Sequence, residues 1–375
     1  MLKTLILGLL ASFILWSEIF AQSDQKITLK KQVSGLGIPW GMTFIDEKTA
    51  LISEKNGSLK KLDFSGESVR VSDIYGIPEV MAVGQGGLLD IKYYPSKIHG
   101  NENHVVFFTF VANSSLSGKS NLPTLKLAKA LLRGDQLQQV EVLFEANHPQ
   151  SGGRHFGSRI AFDDEGHVFF SMGDRGQRGN SQDLSKHSGS ILRLNIDGSV
   201  PKDNPFVDQE EAMPEIWSYG HRNPQGLAFD FVKKQLWSNE HGPRGGDEIN
   251  IIVKGKNYGW PVISYGREYI SNRKVGESTK KQGLEQPVTQ FTPSIAPSSL
   301  LFYSGKKKIE WQGVIMSGAL KLRHLNLVFV DQNDEFLNEL RLFESEDERI
   351  RNVVESPEGK VYIATDQGNI YQLQF

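Results

Sequence analysis

The chain contains no cysteine, so disulfides, thiol nucleophiles and cysteine-ligated zinc sites are all excluded. It also has little net charge, because 42 lysines and arginines balance 44 aspartates and glutamates among 375 residues. A balanced chain offers no general field that would attract nucleic acid or an anionic membrane. The composition therefore predicts a small-molecule partner and no nucleic acid.

Long apolar runs are absent except at the N-terminus. Residues 1–21 combine an early lysine, an apolar stretch and a small residue, Ala21, where cleavage could fall. This pattern predicts a signal peptide, a periplasmic or secreted mature chain of residues 22–375, and no stable membrane insertion after cleavage. An N-terminal membrane anchor is the alternative, although the apolar stretch is shorter than the ~20 residues that a transmembrane helix usually needs.

Helical periodicity is also missing after residue 26, whereas short apolar runs closed by Gly, Asp and Asn recur, as is typical of strands joined by tight turns. Four segments share a strand, polar turn, strand pattern: residues 40–63, 157–174, 226–243 and 353–373. Such units leave their edges exposed unless they pack around a ring, so we predict an all-β, single-domain β-propeller. The wide spacing of the copies favours six blades, and the last copy should pair with the first strand near residues 27–33.

Five segments contain more Gly, His, Arg and Asn than strands require: residues 84–90, 151–159, 220–226, 239–250 and 254–261. The loops at one end of a propeller channel converge, so these segments are best interpreted together. Arg222, Lys321, Arg349 and Arg351 would bind a polyanionic small molecule if they met at one mouth, because arginine pairs with carboxylates through a planar fork of donors. The alternative is a set of solvated surface charges.

His155 has two interpretations. With Asp174, it could form a general base and its orienting carboxylate; alternatively, it is a structural histidine bonded to a backbone carbonyl. No serine lies in a strained nucleophile-elbow motif, so acyl-transfer chemistry lacks its attacking group.

Asp247 and Glu248, with nearby Gly and Pro carbonyls, could hold calcium, which prefers oxygen ligands. The alternative is a Gly-rich turn that leads into a strand. Zinc at Glu240 and His241 has little support, because a lone His-Glu pair is a poor zinc signal.

Seven motifs, in chain order, closely resemble those of the soluble quinoprotein sugar dehydrogenases, which are the PQQ-dependent aldose sugar dehydrogenases and the related soluble glucose dehydrogenase. They are GQGGLLD, SGGRHFGSRIAF, GHRNPQGLAFD, NEHGPRGGDEINIIVKGKNYGWP, SIAPSSLLFYSG, SGALK and RIRNV. The similarity extends from about Ile38 to the C-terminus. It implies a six-bladed propeller that binds calcium and pyrroloquinoline quinone (PQQ), a tricyclic ortho-quinone with three carboxylates.

The resemblance also implies a role for individual residues. The implied PQQ contacts are Gln85, Arg222, Asn223, Tyr269, Lys321, Arg349 and Arg351. The implied calcium ligands are the carbonyls of Gly242 and Pro243, for an ion that touches PQQ, and Glu248 with the Tyr258 carbonyl, for a structural ion. His155 is the implied general base and Asp174 its orienting carboxylate. On this basis His155 takes the anomeric proton of an aldose as a hydride leaves C1 for the quinone, which gives a lactone.

We also expect an external electron acceptor, an unidentified quinone or cytochrome, and a monomer or homodimer. Arg154 and Gly179 stand where the soluble glucose dehydrogenase has sugar-contacting Asp and Gln residues, which favours the broader aldose branch. Two rivals remain: a calcium-dependent propeller lactonase, and a non-catalytic propeller that binds carbohydrate or protein. Neither of these two functions has an evident need for a flat polyanionic ligand, and therefore for the cations Arg222, Lys321, Arg349 and Arg351.

Overall fold

The computed structural model describes residues 27–95, 104–116 and 122–375, which form six four-stranded antiparallel sheets. The predicted signal peptide, residues 1–21, lies outside the described residues. Blade 1 contains β2 (Pro39–Phe44), β3 (Thr49–Glu54), β4 (Leu59–Asp63) and β5 (Arg70–Ile74). Blade 2 contains β6 (Leu88–Tyr94), β7 (His104–Asn113), β8 (Pro123–Arg133) and β9 (Gln136–Glu145).

The next two blades follow the same order. Blade 3 contains β10 (Ile160–Phe162), β11 (His167–Met172), β12 (Ser190–Asn195) and β13 (Ile216–Tyr219). Blade 4 contains β14 (Pro224–Asp230), β15 (Gln235–Glu240), β16 (Asp247–Ile252) and β17 (Thr289–Phe291).

The last two blades complete the ring. Blade 5 contains β18 (Pro297–Phe302), β19 (Ile315–Ala319), β20 (Leu325–Val330) and β21 (Phe336–Leu342). Blade 6 contains β22 (Ile350–Glu355), β23 (Val361–Thr365), β24 (Ile370–Gln374) and β1 (Thr28–Val33). Among the described residues, three short 3-10 helices occupy loops, at Arg178–Gln182, Ile309–Trp311 and Glu344–Glu346. None of the helices in the described part of the chain has the length and apolar character needed to span a membrane.

Ring closure joins the two ends of the chain. The first strand, β1, pairs antiparallel with the last strand, β24, with Thr28 opposite Gln374 and Leu29 opposite Leu373. The inner strands β2, β6, β10, β14, β18 and β22 pack against one another in this order, and β22 returns to β2. The all-β, six-bladed propeller and the predicted pairing of the first and last strands are therefore confirmed.

The hydrophobic core consists of apolar layers between neighbouring blades. Successive side chains of a strand point to opposite faces of its sheet, so a blade buried on both faces needs apolar residues at consecutive positions. In β11, Val168 and Phe170 pack against blade 2, whereas Phe169, between them in sequence, packs against blade 4. The apolar runs in the sequence thus reflect blades that are covered on both sides.

Arg159 links the inner ends of the blades at the centre of the ring. Its Nε donates to the carbonyl of Gln225 at 2.9 Å, and Nη1 donates to the carbonyl of Trp40 at 3.0 Å and to Asp90 at 3.3 Å. Its Nη2 donates to the carbonyl of Arg351 at 2.9 Å. These hydrogen bonds offset the hydration that the buried guanidinium loses. Since the partners lie in four other blades, Arg159 links the inner strands of five blades.

Candidate active site

The predicted site residues emerge on one face of the ring. Strands in a blade alternate in direction, so the loops that enter each inner strand open on the same face as the loops between second and third strands. The loops that enter inner strands contain Gln85, His155 and Arg222. The loops between second and third strands contain Asp174 and Lys321. The topology therefore brings together positions that are far apart in sequence.

His155 and Asp174 form a tightly bonded pair. Nδ1 of His155 lies 2.6 Å from Oδ1 of Asp174, and the carboxylate is 1% exposed. The amide of Gly176 also donates to Oδ1, at 2.7 Å, and the indole N–H of Trp260 donates to Oδ2 at 2.9 Å. The carboxylate is thus held on both oxygens, and it fixes the imidazole with Nδ1 as the bonded nitrogen and Nε2 as the free one.

The backbone at His155 is constrained as well. His155 has a φ of 53°, in the left-handed region that is costly for a residue with a side chain. Its amide donates to the side-chain oxygen of Gln85 at 2.7 Å. The guanidinium of Arg175 donates to the carbonyls of Gly152 and Arg154 and lies 3.4 Å from the ring centroid of Phe156. Arg175 therefore fixes the loop on both sides of His155.

Burial lowers the pKa of His155, and the nearby charges of Arg222 and Arg154 lower it further, although the hydrogen bond to Asp174 acts in the opposite direction. Burial on its own would raise the pKa of Asp174, but the hydrogen bond and charge of His155 outweigh it, and that pKa lies below its usual value. At neutral pH the pair is a neutral imidazole beside an ionised carboxylate. This is the protonation state of a general base.

A cavity of about 240 Å³ opens at the mouth of the channel near His155. Five of the predicted PQQ contacts line it: Gln85, Asn223, Lys321, Arg349 and Arg351. Trp40 and Lys55 also line this cavity, and the guanidinium of Arg351 lies 4.3 Å from the ring centroid of Trp40. The cavity wall is therefore cationic and carries one large flat side chain.

Asp366 orients two of these cations. Its carboxylate accepts Nε of Arg349 at 3.0 Å, and Nε and Nη2 of Arg351, each at 2.8 Å. The opposing charges keep the pKa of Asp366 low despite its burial. Lys321 is exposed, and within the described ranges its ammonium has no ion pair. One carboxylate thus arranges two arginines and leaves the cavity with excess positive charge.

A second, much smaller void of about 20 Å³ lies beside the cation-lined cavity, and His241 lines both. Gly242, Glu248 and Tyr258, three of the four predicted calcium ligands, line it, together with Glu240 and Arg222. Burial and the charge of Glu240 raise the pKa of Glu248 to about 8. Two carboxylates that face one small void repel each other unless a proton or a cation lies between them.

The structure does not bring every predicted residue into these cavities. Tyr269 is 60% exposed and lines neither cavity, and its carbonyl accepts Nη1 of Arg244 at 2.9 Å. The carbonyl of Pro243 accepts the amide of Arg267 at 2.8 Å, and Pro243 does not line the small void. His241 does not pair with Glu240, because its Nε2 lies 2.8 Å from the carbonyl of Pro297.

Several residues of the site were not predicted. Trp260 and Glu240 lie in segments that the sequence analysis had already identified, and Arg175 directly follows Asp174. Their proximity to the site could therefore be expected, but their individual contacts could not be predicted. Trp40 and Lys55 carried no signal, because a strand tryptophan and a turn lysine are common in any β protein. Only the closed ring places them at the mouth.

Comparison with known proteins agrees with this geometry. The family model described as Glucose / Sorbosone dehydrogenase matches residues 36–372. Aldose sugar dehydrogenase YliI of Escherichia coli is 37% identical over 337 residues, which cover 88% of this chain and 88% of that protein.

Solved structures show the same likeness. The apo-form crystal structure of the soluble aldose sugar dehydrogenase from Escherichia coli superposes with a TM-score of 0.85 at 33% identity, covering 93% of this chain and 99% of that one. The PQQ-bound aldose sugar dehydrogenase from Streptomyces coelicolor has a TM-score of 0.74 at 26% identity, over 93% of this chain and 98% of that chain. The chain with this His155–Asp174 pair and cation-lined mouth therefore belongs to the glucose/sorbosone dehydrogenase family.

Proposed function

We propose that this protein is a quinoprotein oxidoreductase that oxidises the C1 hydroxyl of aldose sugars to lactones, with PQQ as the hydride acceptor. The observation that carries the proposal is the His155–Asp174 pair, 2.6 Å apart, beside a cavity lined by three of the predicted cations. A lactonase needs no such cationic cavity. The relatives of this chain, including one aldose sugar dehydrogenase whose structure contains bound PQQ, support the proposed sugar oxidation.

The residues of the cavity suit PQQ. Lys321, Arg349 and Arg351 offer positive charge to a tricarboxylate, and charge-assisted hydrogen bonds of this kind are roughly twice as strong as neutral ones. The indole N–H of Trp40 is buried and has no hydrogen-bond partner among the described residues. A buried unpaired donor costs about 1–3 kcal/mol, so a ligand with acceptor oxygens would relieve that cost. When bound, PQQ supplies a two-electron oxidant that accepts a hydride.

The small void suits calcium. Its volume of about 20 Å³ allows one water-sized occupant, and Glu248 lines it together with Gly242. Both oxygens of Glu240 are engaged, by Nδ1 of His221 at 2.9 Å and by the amide of Arg222 at 2.7 Å. We propose that Glu248 and the Tyr258 carbonyl hold a structural ion at this void. We propose that the carbonyls of Gly242 and Pro243 hold a second ion beside the cofactor, once the Pro243 carbonyl releases the amide of Arg267. Calcium prefers such oxygen ligands and would supply positive charge and Lewis acidity beside the cofactor.

In this mechanism the chain's own residues bind, orient and deprotonate the sugar. Nε2 of His155 accepts the proton of the C1 hydroxyl, and Asp174 stabilises the imidazolium that forms. Trp260 and Gly176 keep the carboxylate from rotating away. The rigid loop held by Arg175 and Gln85 keeps the base in place, so little reorganisation accompanies the proton transfer.

The remaining assignments are proposals that rest on the sequence and on the relatives. Residues 1–21 are proposed to be a signal peptide, and residues 22–375 a single-domain periplasmic or secreted enzyme. The external electron acceptor is proposed to be a quinone or a cytochrome. The protein is proposed to act as a monomer or homodimer.

The test of the proposed function is His155→Ala in the PQQ- and calcium-loaded protein, with His104→Gln in β7 as a control outside the site. We expect PQQ binding near wild type and sugar oxidation lowered by about two orders of magnitude or more, as for a lost general base. Wild-type turnover in His155→Ala would contradict the assignment of the base.

A further inference from the structure

The arginine that precedes the proposed base has no assigned role. Arg154 is exposed, and no ion pair or side-chain hydrogen bond involves it among the residues with described positions. Its position is nevertheless fixed, because Arg175 binds its carbonyl and its side chain passes over Gly176. A Cβ added to Gly176 would lie 3.9 Å from Cβ and 4.0 Å from Cδ of Arg154.

Arg154 thus starts from the loop of His155 and runs along the loop of Asp174. Its positive charge is close enough to the imidazole to lower the pKa of His155. A substrate whose C1 hydroxyl reaches Nε2 of His155 would therefore lie within the field of this guanidinium.

The neighbouring arginines are already engaged. Arg178 donates to both carboxylate oxygens of Glu268, at 2.6 and 2.8 Å, and Arg222 donates to the carbonyl of His241 at 2.9 Å. Arg222 keeps its charge but lines the small void, so of these three arginines Arg154 is the one whose side chain makes no hydrogen bond or ion pair within the described residues.

Two carboxylates near the base, Asp174 and Glu268, already accept hydrogen bonds from protein groups. Both oxygens of Asp174 are bonded, to His155 and Gly176 on one side and to Trp260 on the other. Both oxygens of Glu268 are bonded to Arg178. These two carboxylates are thus committed to protein donors, whereas Arg154 offers a charged donor without a protein partner among the described residues, which suits an anionic ligand better than a neutral polyol.

We infer that the preferred substrates are aldoses that carry a carboxylate, the hexuronates, and that Arg154 binds that carboxylate. The inference rests on the proposed function and specifies its substrate class. A hexuronate keeps the C1 hydroxyl that the base needs and has a planar carboxylate at C6, which matches the planar fork of arginine. The reaction remains the two-electron oxidation to a lactone: the O–H proton goes to His155, and the C1–H bond breaks with its electron pair passing to the oxidant.

The test compares sugars that differ only at C6, glucuronate with glucose and galacturonate with galactose, in the PQQ- and calcium-loaded protein. Wild type should favour the uronate in kcat/KM by about tenfold or more. Arg154→Gln should lower that ratio about tenfold, chiefly through KM, and raising the salt concentration should weaken the preference. Arg70→Gln, at an exposed strand position in blade 1, serves as the control and should keep the wild-type ratio.

Binding of methyl glucuronide and methyl glucoside, whose C1 is blocked, separates recognition from chemistry. Calorimetry on the loaded protein should show tighter binding of the glucuronide, with the difference lost in Arg154→Gln. Equal binding, or a kcat/KM ratio unchanged in Arg154→Gln, would overturn the inference. If no aldose at all is oxidised, the proposed function fails, and the two glycosides still decide whether Arg154 recognises a carboxylate.

Discussion

Nδ1 of His155 lies 2.6 Å from Oδ1 of Asp174, in a carboxylate whose other oxygen accepts the indole N–H of Trp260 at 2.9 Å. The carboxylate cannot turn away without breaking the Trp260 contact, so it fixes both the tautomer and the orientation of the imidazole. Nε2 is left as the atom that meets a substrate. The proposed role of His155 as the base depends on this one arrangement.

Asp174→Asn should lower kcat/KM for sugar oxidation by about 10²–10⁴-fold, the range over which a positioned base acts. The amide keeps the shape of the side chain but can donate to Nδ1, which favours the wrong tautomer. PQQ affinity should stay near wild type. Steady-state kinetics with an aldose checks this, with Asp73→Asn on the exposed strand β5 as control; a loss below threefold would contradict the role of Asp174.

The pH dependence follows from the lowered pKa of His155, which burial and the charges of Arg222 and Arg154 produce. The base works only when it is neutral, and a lowered pKa keeps it neutral to more acidic pH. The acid limb of kcat/KM should therefore lie below about 6.5, the usual pKa of histidine. Arg154→Gln removes one positive charge and should move the limb upward, whereas an acid limb above 6.5 in wild type would be inconsistent with this environment.

Arg175 is a positioning residue, because it touches the loop on both sides of His155 rather than the proposed substrate. Arg175→Gln should lower kcat about tenfold while KM changes little, since the base loses its fixed geometry. The carbonyls of Gly152 and Arg154 also lose their partner, but both residues are exposed, so water can replace the guanidinium and the loss of stability should be small.

A control separates lost positioning from lost stability in Arg175→Gln. Leu327→Ala opens the core between blades 5 and 6, in a cluster that contains no residue of the His155 loop, so it should lower the melting temperature and leave kcat near wild type. If both variants lose kcat in proportion to their melting temperature, Arg175 acts through stability alone.

Lys321 lines the cationic cavity and is exposed, so its replacement should affect the cofactor and not the fold. Lys321→Gln should weaken PQQ binding about tenfold, since a charge-assisted contact to a carboxylate is worth about 1.5–3 kcal/mol before solvent exposure reduces it. Fluorescence or absorbance titration with PQQ measures the change. Lys48→Gln, on the β2–β3 turn, is the control, and equal PQQ affinity in the two variants would remove Lys321 from the cofactor site.

The sequence was sufficient for the overall architecture and for the chemically distinctive part of the site. Strand, turn, strand copies predicted the blades, and the pairing of β1 with β24 followed from the need to close a ring. The pair of His155 and Asp174 could be proposed because the two residue types have a known joint chemistry. Such features depend on local pattern and on the closure of the fold.

The contacts that the sequence could not supply depend on the three-dimensional path of individual loops. The chain between β16 and β17 runs from residue 253 to 288, and it brings Trp260 to Asp174, 86 residues away in sequence. The same loop leaves Tyr269 exposed, away from the cavity. Arg159 likewise had no assignable role, since its partners come from four other blades.

The most direct test of the central claim is a titration of the metal-stripped mature protein with PQQ and calcium, followed by an aldose, with the quinone absorbance as readout. We expect calcium-dependent PQQ binding and reduction of the bound quinone when the sugar is added, with binding retained but reduction slowed in His155→Ala. If the protein binds no PQQ, or if bound PQQ stays oxidised with every aldose and hexuronate, the protein is not the sugar dehydrogenase proposed here.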